Sequence, residues 1–129
     1  MGGAALDAPE VRAWSLASAG ARIAIGLGIL AAPEPALRAL GFKEVTPATL
    51  AVGRIAGVRD LVLGLATLAA LGDRDRLRTA TLANGVADSG DTLAFGLAIG
   101  STERTAGVRG IAAALPAALA GGWIAWRLS

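Results

Sequence analysis

The stretch LAVGRIAGVRDLVLGLATLAAL, residues 50–71, decides the fold. Its length is close to the roughly 20 residues that carry an α-helix across a hydrocarbon core of about 30 Å, at 1.5 Å per residue. It holds three charges, Arg54, Arg59 and Asp60. Gly53, Gly57, Asp60 and Gly64 follow an i, i+4, i+7, i+11 spacing, which sets them on one helix face. The pattern is that of a membrane helix with a smooth face for close packing and a carboxylate set into that face.

Three further apolar segments recur around it. Ala13–Ala32 contains one charge, Arg22, and ends at Pro33-Glu34-Pro35; Thr79–Gly100 carries Asp88 and Asp91; Gly110–Trp126 has no charge. The expectation is one all-α domain over residues 1–129, an integral membrane antiparallel four-helix bundle. Its spans are expected near 12–32, 47–71, 74–100 and 102–127. Composition agrees. The chain of 129 residues is 54% hydrophobic and 17% charged, against about 25% charged for a soluble domain, and a domain this small has proportionally more surface to cover. A buried helix of a soluble bundle can also run this apolar, but four such helices would lack a polar outer face. A cleaved signal peptide fits poorly, because Asp7 and Glu10 stand where positive charge belongs and Arg22 interrupts the apolar run.

The chain has no His, Cys or Tyr. That removes histidine general bases, cysteine nucleophiles, disulfides, and zinc or haem sites built on His or Cys. The net charge of +2 does not amount to a nucleic-acid footprint.

Punctuation places the ends of the helices. Thr46-Pro47 reads as an N-cap followed by proline at the first helical position. Gly72 and Gly100 read as stops, with Asp73 and Ser101 capping the helices that follow. Helices two to four are therefore expected to be sequential antiparallel neighbours. Residues Pro35–Gly41 read as a short interfacial helix ending at Gly41, and Pro116 is expected to kink the last span. Four spans put Arg12, Arg74, Arg76, Arg78 and Arg127 on one side, and Arg38, Lys43, Arg104 and Arg109 on the other. The small excess favours cytoplasmic termini, with Trp14, Trp123 and Trp126 in an aromatic belt at that interface.

Six ionisable residues fall inside the spans: Arg22, Arg54 and Arg59 against Asp60, Asp88 and Asp91. Each isolated charge at the membrane centre costs a few kcal/mol, so their balance points to a paired cluster. Ser15, Ser18, Arg22 and Gly26 share one face of the first helix, and Asn84, Asp88, Asp91 and Phe95 one face of the third. Folding the second hairpin about Gly72-Asp73 sets Arg54 opposite Asp91 and Arg59 near Asp88, leaving Arg22 for Asp60. Arg59 and Asp60 leave the helix about 100° apart and are expected to satisfy different partners. Asp60 is the candidate acid or base, with Asp88 and Asp91 beside it; Arg22, Arg54, Arg59 and Asn84 are the candidate ligand-binding groups. No metal is expected, since arginines oppose a hard cation at the Asp88/Asp91 pair. The pairs Gly53/Gly57 and Gly96/Gly100 read as faces for close helix contact, and offer a route to self-association.

At Arg54-Ile55-Ala56-Gly57-Val58-Arg59-Asp60-Leu61-Val62-Leu63-Gly64 the chain resembles the small four-helix membrane proteins of the DoxX-like superfamily, in particular a branch with R-x-x-G-x-R-D-x-x-x-G in helix two. Ala21-Arg22 with Gly26 and Gly28, and an Asp at 88 or 91, match further features of that branch. The resemblance implies the four-helix bundle and no reaction. Some relatives are associated with quinone-linked redox complexes, whereas the absence of cysteine here argues against thiol chemistry. The residues name no cofactor. Three functional classes follow: a pocket, binding or enzymatic, for a lipophilic small molecule with its floor at Arg22, Arg59 and Asp60; a structural or accessory membrane subunit with a salt-bridge core; and a proton- or ion-coupled transporter using Asp60, Asp88 and Asp91. All take the lipid bilayer as partner.

Overall fold

The computed structural model describes residues 8–129; Asp7, used above against a signal peptide, lies outside them. Among the described residues the chain is all-α, with five helices: α1 (Pro9–Ala31), α2 (Pro33–Leu40), α3 (Pro47–Ala70), α4 (Arg74–Ala98) and α5 (Arg104–Arg127). Local chemistry sets most of the boundaries. Thr46 and Thr49 form a reciprocal capping box with Pro47 at the first helical position, and Asp73 accepts from the Arg76 amide at the start of α4. The cap expected from Ser101 falls differently: its hydroxyl accepts from the Glu103 amide, and α5 begins at Arg104 with no side-chain cap. The short helix starts at Pro33, two residues earlier than expected. It closes at Gly41, whose φ of +107° disfavours any side chain. α5 runs through Pro116 as one continuous helix.

The four long helices pack as two antiparallel pairs, α1 with α3 and α4 with α5. α3 and α4 are neighbours as expected, but they adjoin less closely than α4 and α5, and the closest partner of α3 is α1. The reason lies in the glycines. A Cβ on Gly26 would lie 2.6 Å from the Gly57 carbonyl oxygen and 2.8 Å from the Leu61 nitrogen, and one on Gly64 would lie 2.9 Å from the Ala19 carbonyl oxygen. The backbones of α1 and α3 therefore nearly touch. Gly107 does the same for α5 against the backbone of Phe95 of α4 and of Ile99 that follows it, and Gly110 makes room for the Phe95 ring. Between α3 and α4 the space is filled instead by long charged side chains, which hold the two pairs apart.

Gly53 and Gly57 are used within the chain, against Leu37 and against α1, so that face is not free for self-association. The close contact expected of Gly96 and Gly100 does not form. Gly96 would meet only Ile111, at 3.9 Å, and Gly100 nothing within 4 Å, because the small residues of this interface lie on α5.

The apolar core is small. Val11, Ala70, Leu77, Ile124 and Leu128 cluster at the end of the molecule that holds the C-terminus and the start of α1. Large apolar side chains face outward along every long helix, among them Ile25, Leu27, Ile55, Val62, Val86, Leu93, Leu97 and Leu119. By length and composition two helices could cross a membrane, Pro9–Ala31 and Arg104–Arg127. The other two have the length, but charges lower their apolar content.

The glycine contacts make a paired prediction. Gly26→Ala should destabilise the fold by roughly 1–3 kcal/mol, as overpacking does, whereas Gly28→Ala, with open space around it, should be neutral or slightly stabilising. Thermal unfolding of the purified variants in detergent compares the two directly.

Candidate functional site

The polar stripes read from the helical spacing converge between the two pairs. Ser15, Arg22 and Gly26 are buried on α1, Gly53, Gly57, Asp60, Gly64 and Thr67 on α3, and Thr81, Asn84 and Asp88 on α4. Arg22 is the hinge of the arrangement. Its Nη1 donates to Asp60 Oδ1 at 2.9 Å, and its Nη2 to Asp88 Oδ1 at 2.6 Å and to the Asn84 carbonyl at 3.4 Å. Arg59 donates from Nη1 and Nη2 to the two oxygens of Asp91, each at 2.7 Å, the bidentate geometry that suits a planar guanidinium. It also reaches back to Asp60 Oδ1, from Nη2 at 3.1 Å and from Nε at 3.3 Å.

Five charged side chains thus alternate in sign along one connected chain: Asp88, Arg22, Asp60, Arg59, Asp91. The first three are about nine-tenths buried, and Arg59 and Asp91 are about one-third exposed.

Two of the expected pairings are corrected. Asp91 pairs with Arg59, not Arg54, and Asp88 with Arg22, not Arg59. Arg54 is exposed and makes no hydrogen bond or ion pair among the described residues. The reason is register. The contacts Arg59–Asp91 and Thr67–Asn84 are both symmetric about residues 75–76, beyond the turn at residues 71–73 on which the expected register was centred. The separation expected of Arg59 and Asp60 also fails, because the long arginine side chain folds back over its neighbour's carboxylate. Arg22 and Asp60 do meet as expected.

A second polar group adjoins the charged chain. Thr67 donates its hydroxyl to the Leu63 carbonyl at 2.9 Å and accepts from Asn84 Nδ2 at 3.0 Å. Trp14, Ser15, Ser18, Thr67, Thr81, Asn84 and Asp88, with Ala117 and Gly121 of α5, line a cavity of about 10 Å³. That is about the space of one water molecule. Arg22, Arg59 and Asp60 are not among its lining residues. A larger groove of about 310 Å³ runs along the outer face of α4 and α5, lined by Thr81, Leu82, Gly85, Val86, Ser89, Ala118, Gly121 and Gly122. Sequence reasoning missed Thr67 and Thr81 as network members, although their place one turn from Gly64 and Asn84 signalled them.

An ion pair ties one end and hydrogen bonds to backbone groups tie the other. At one end Arg127 meets Glu10 at 2.6 Å and stacks over Trp123 at 5.5 Å. At the other, Glu103 accepts from the amides of Lys43 and Glu44, and Arg109 donates to the Ala39 carbonyl.

A small helical protein with apolar side chains outside and paired charges within is the class this geometry defines. The chain belongs to the family described as Domain of unknown function (DUF4267), which it matches over residues 19–126, a span that includes all five charged residues of the network. No curated protein and no solved structure matches it.

The pairings predict a pattern of couplings. Arg22→Gln should cost roughly 3–5 kcal/mol, as breaking a buried pair does. Arg59→Gln should cost less, because its head is partly solvated, and Arg54→Gln should stay within about 0.5 kcal/mol. The double change Arg59→Asp with Asp91→Arg should recover stability over either single change, and Arg54→Asp with Asp91→Arg should not.

Proposed function

We propose that this chain is a multi-pass integral membrane protein, a bundle of four transmembrane helices within the DoxX-like superfamily, and that its role is architectural or accessory to a membrane assembly. The observation that carries the reading is its inverted polarity. Ile55, Val86, Leu97 and Leu119 are 68–77% exposed while Arg22 and Asp88 are each 7% exposed. In water this distribution would leave apolar surface unpaid while burying charge, and in a bilayer each group meets the environment that suits it.

The two helices that fall short on composition are the ones whose charges close the internal network: Asp60 and Arg59 on α3, Asp88 and Asp91 on α4. Inward-facing, mutually paired charges are compatible with crossing the bilayer. Crossings by all four helices place both termini on one side, and the arginines beyond the span ends favour the cytoplasm.

An architectural role is favoured over a ligand site at Arg22, Arg59 and Asp60 because the Nη atoms of both arginines already bond to Asp60, Asp88 and Asp91 at 2.6–3.1 Å, although Arg22 Nε is buried without a partner. The outer groove, floored by Gly85, Gly121 and Gly122, suits the close approach of a helix from a partner subunit.

The membrane should retain the protein through alkaline carbonate extraction, and detergent should release it. The chain lacks cysteine, so single cysteines report topology cleanly. Gly100→Cys should react with an impermeant maleimide on intact cells and Gly72→Cys only after lysis; both glycines have open space around them. Release by carbonate, or labelling of both positions on intact cells, would contradict the reading.

A further inference from the structure

The charge count of the network does not close. Two guanidiniums, Arg22 of α1 and Arg59 of α3, face three carboxylates, Asp60 of α3 and Asp88 and Asp91 of α4. Among the described residues no other charged side chain bonds to these five, and α5 brings only Ala117 and Gly121 to the adjoining cavity. One negative charge is left without a counter-charge in a region where an uncompensated charge is costly.

The hydrogen bonds show where the missing positive charge belongs. Arg59 engages both oxygens of Asp91, and Asp60 Oδ1 is shared by both arginines. Asp60 and Asp88 each receive arginine on Oδ1 alone, so the Oδ2 of each has no donor among the described residues; Asp60 does not line the small cavity. Asp88 lines the small cavity. Three hydroxyl oxygens on the polar wall of that cavity serve as acceptors. Ser15, Thr67 and Thr81 give their hydroxyl protons to the carbonyls of Val11, Leu63 and Leu77, four residues back in their own helices. Their oxygens can then offer only lone pairs to the cavity.

Because the Thr67 proton is committed to Leu63, the Asn84 amide turns its NH2 to Thr67. That leaves Asn84 Oδ1 fully buried, without a partner, in a residue 5% exposed. A water molecule brings two protons to this set and no charge. A dehydrated monovalent cation accepts lone pairs and also closes the charge count. Hard cations take such all-oxygen ligand sets, and about 10 Å³ suits an ion no larger than a water molecule. Arg22 holds one oxygen of Asp88 and Arg59 holds Asp91, so the cation would draw on the other oxygen of Asp88 and on the excess of carboxylates over guanidiniums.

We propose that the cavity bounded by Ser15, Ser18, Thr67, Thr81, Asn84 and Asp88 is a binding site for a single sodium-sized monovalent cation. The site depends on the buried network alone and stands whether or not the architectural role is correct. The cation locks α1 to α4 beside Arg22 and holds the two helix pairs in register.

The test is thermal unfolding of the full chain in detergent, in sodium, potassium or N-methylglucamine chloride at constant ionic strength and at several pH values. Sodium should raise the midpoint by several degrees in a saturable way, with little effect of potassium, as binding to the folded state requires. Asn84→Ala and Ser15→Ala should each weaken or abolish the sodium effect while leaving the Arg22 and Arg59 ion pairs intact. Sodium-23 NMR on the wild-type protein, reading line broadening that excess lithium reverses, gives a second measure should the variants fail to fold. Equal midpoints in all three salts with no broadening would overturn the proposal. So would stabilisation by lowered pH alone, which would put a proton in the site, or a sodium effect unchanged in both variants.

Discussion

A guanidinium placed between two carboxylates in the middle of a helical protein imposes order on everything around it. Arg22 can hold Asp60 and Asp88 together only if α1, α3 and α4 present their polar faces to one point at one depth. Burying ions without partners would cost several kcal/mol each, so the folded state is restricted to arrangements in which the partners meet. Dispersion forces and glycine contacts can slide along a helix by small steps. An ion pair with 2.6–2.9 Å geometry cannot, and it therefore selects the register that the apolar surfaces leave open.

The same constraint explains the uneven packing. α1 and α3 approach closely because Gly26, Gly57 and Gly64 remove side chains from their interface, and α4 and α5 do so through Gly107 and Gly110. The charged chain from Asp88 to Asp91 then fills the wider space between the pairs. A conventional apolar core survives only at one end, around Leu77 and Ile124. Small-residue contacts and internal polar bonds are the two means by which helices associate where an apolar solvent offers no hydrophobic drive. This protein uses each in a separate place.

Helical periodicity made much of this legible from residues alone. The faces carrying Gly53, Gly57, Asp60 and Gly64, and Asn84 and Asp88, are the buried faces, because spacing along one helix is a local property. The Thr46-Pro47 start and the Gly41 stop were legible for the same reason. What escaped the sequence depends on two helices at once. Folding about Gly72 misassigned Arg54 to Asp91, since the two helices meet in a register centred on residues 75–76, which moves the partner of Asp91 by more than one helical turn, to Arg59. The close α1–α3 pairing and the open face at Gly96 and Gly100 depend on which helices meet, and a run of glycines looks alike whether it touches a neighbour or not. The cavity at Asn84 was invisible because it arises from hydroxyl protons committed to carbonyls within three different helices.

The central claim is that the buried arginines and aspartates pair in the order Asp88, Arg22, Asp60, Arg59, Asp91. Magic-angle-spinning NMR on protein in lipid bilayers, with labelled arginine nitrogens and aspartate carboxyl carbons, measures this directly. The account predicts short guanidinium-to-carboxyl distances from Arg22 to Asp60 and Asp88 and from Arg59 to Asp91, with none from Arg54. It also predicts slow hydrogen exchange at Arg22. A contact between Arg54 and Asp91, or an Arg22 guanidinium that exchanges freely and lies far from both carboxylates, would contradict it.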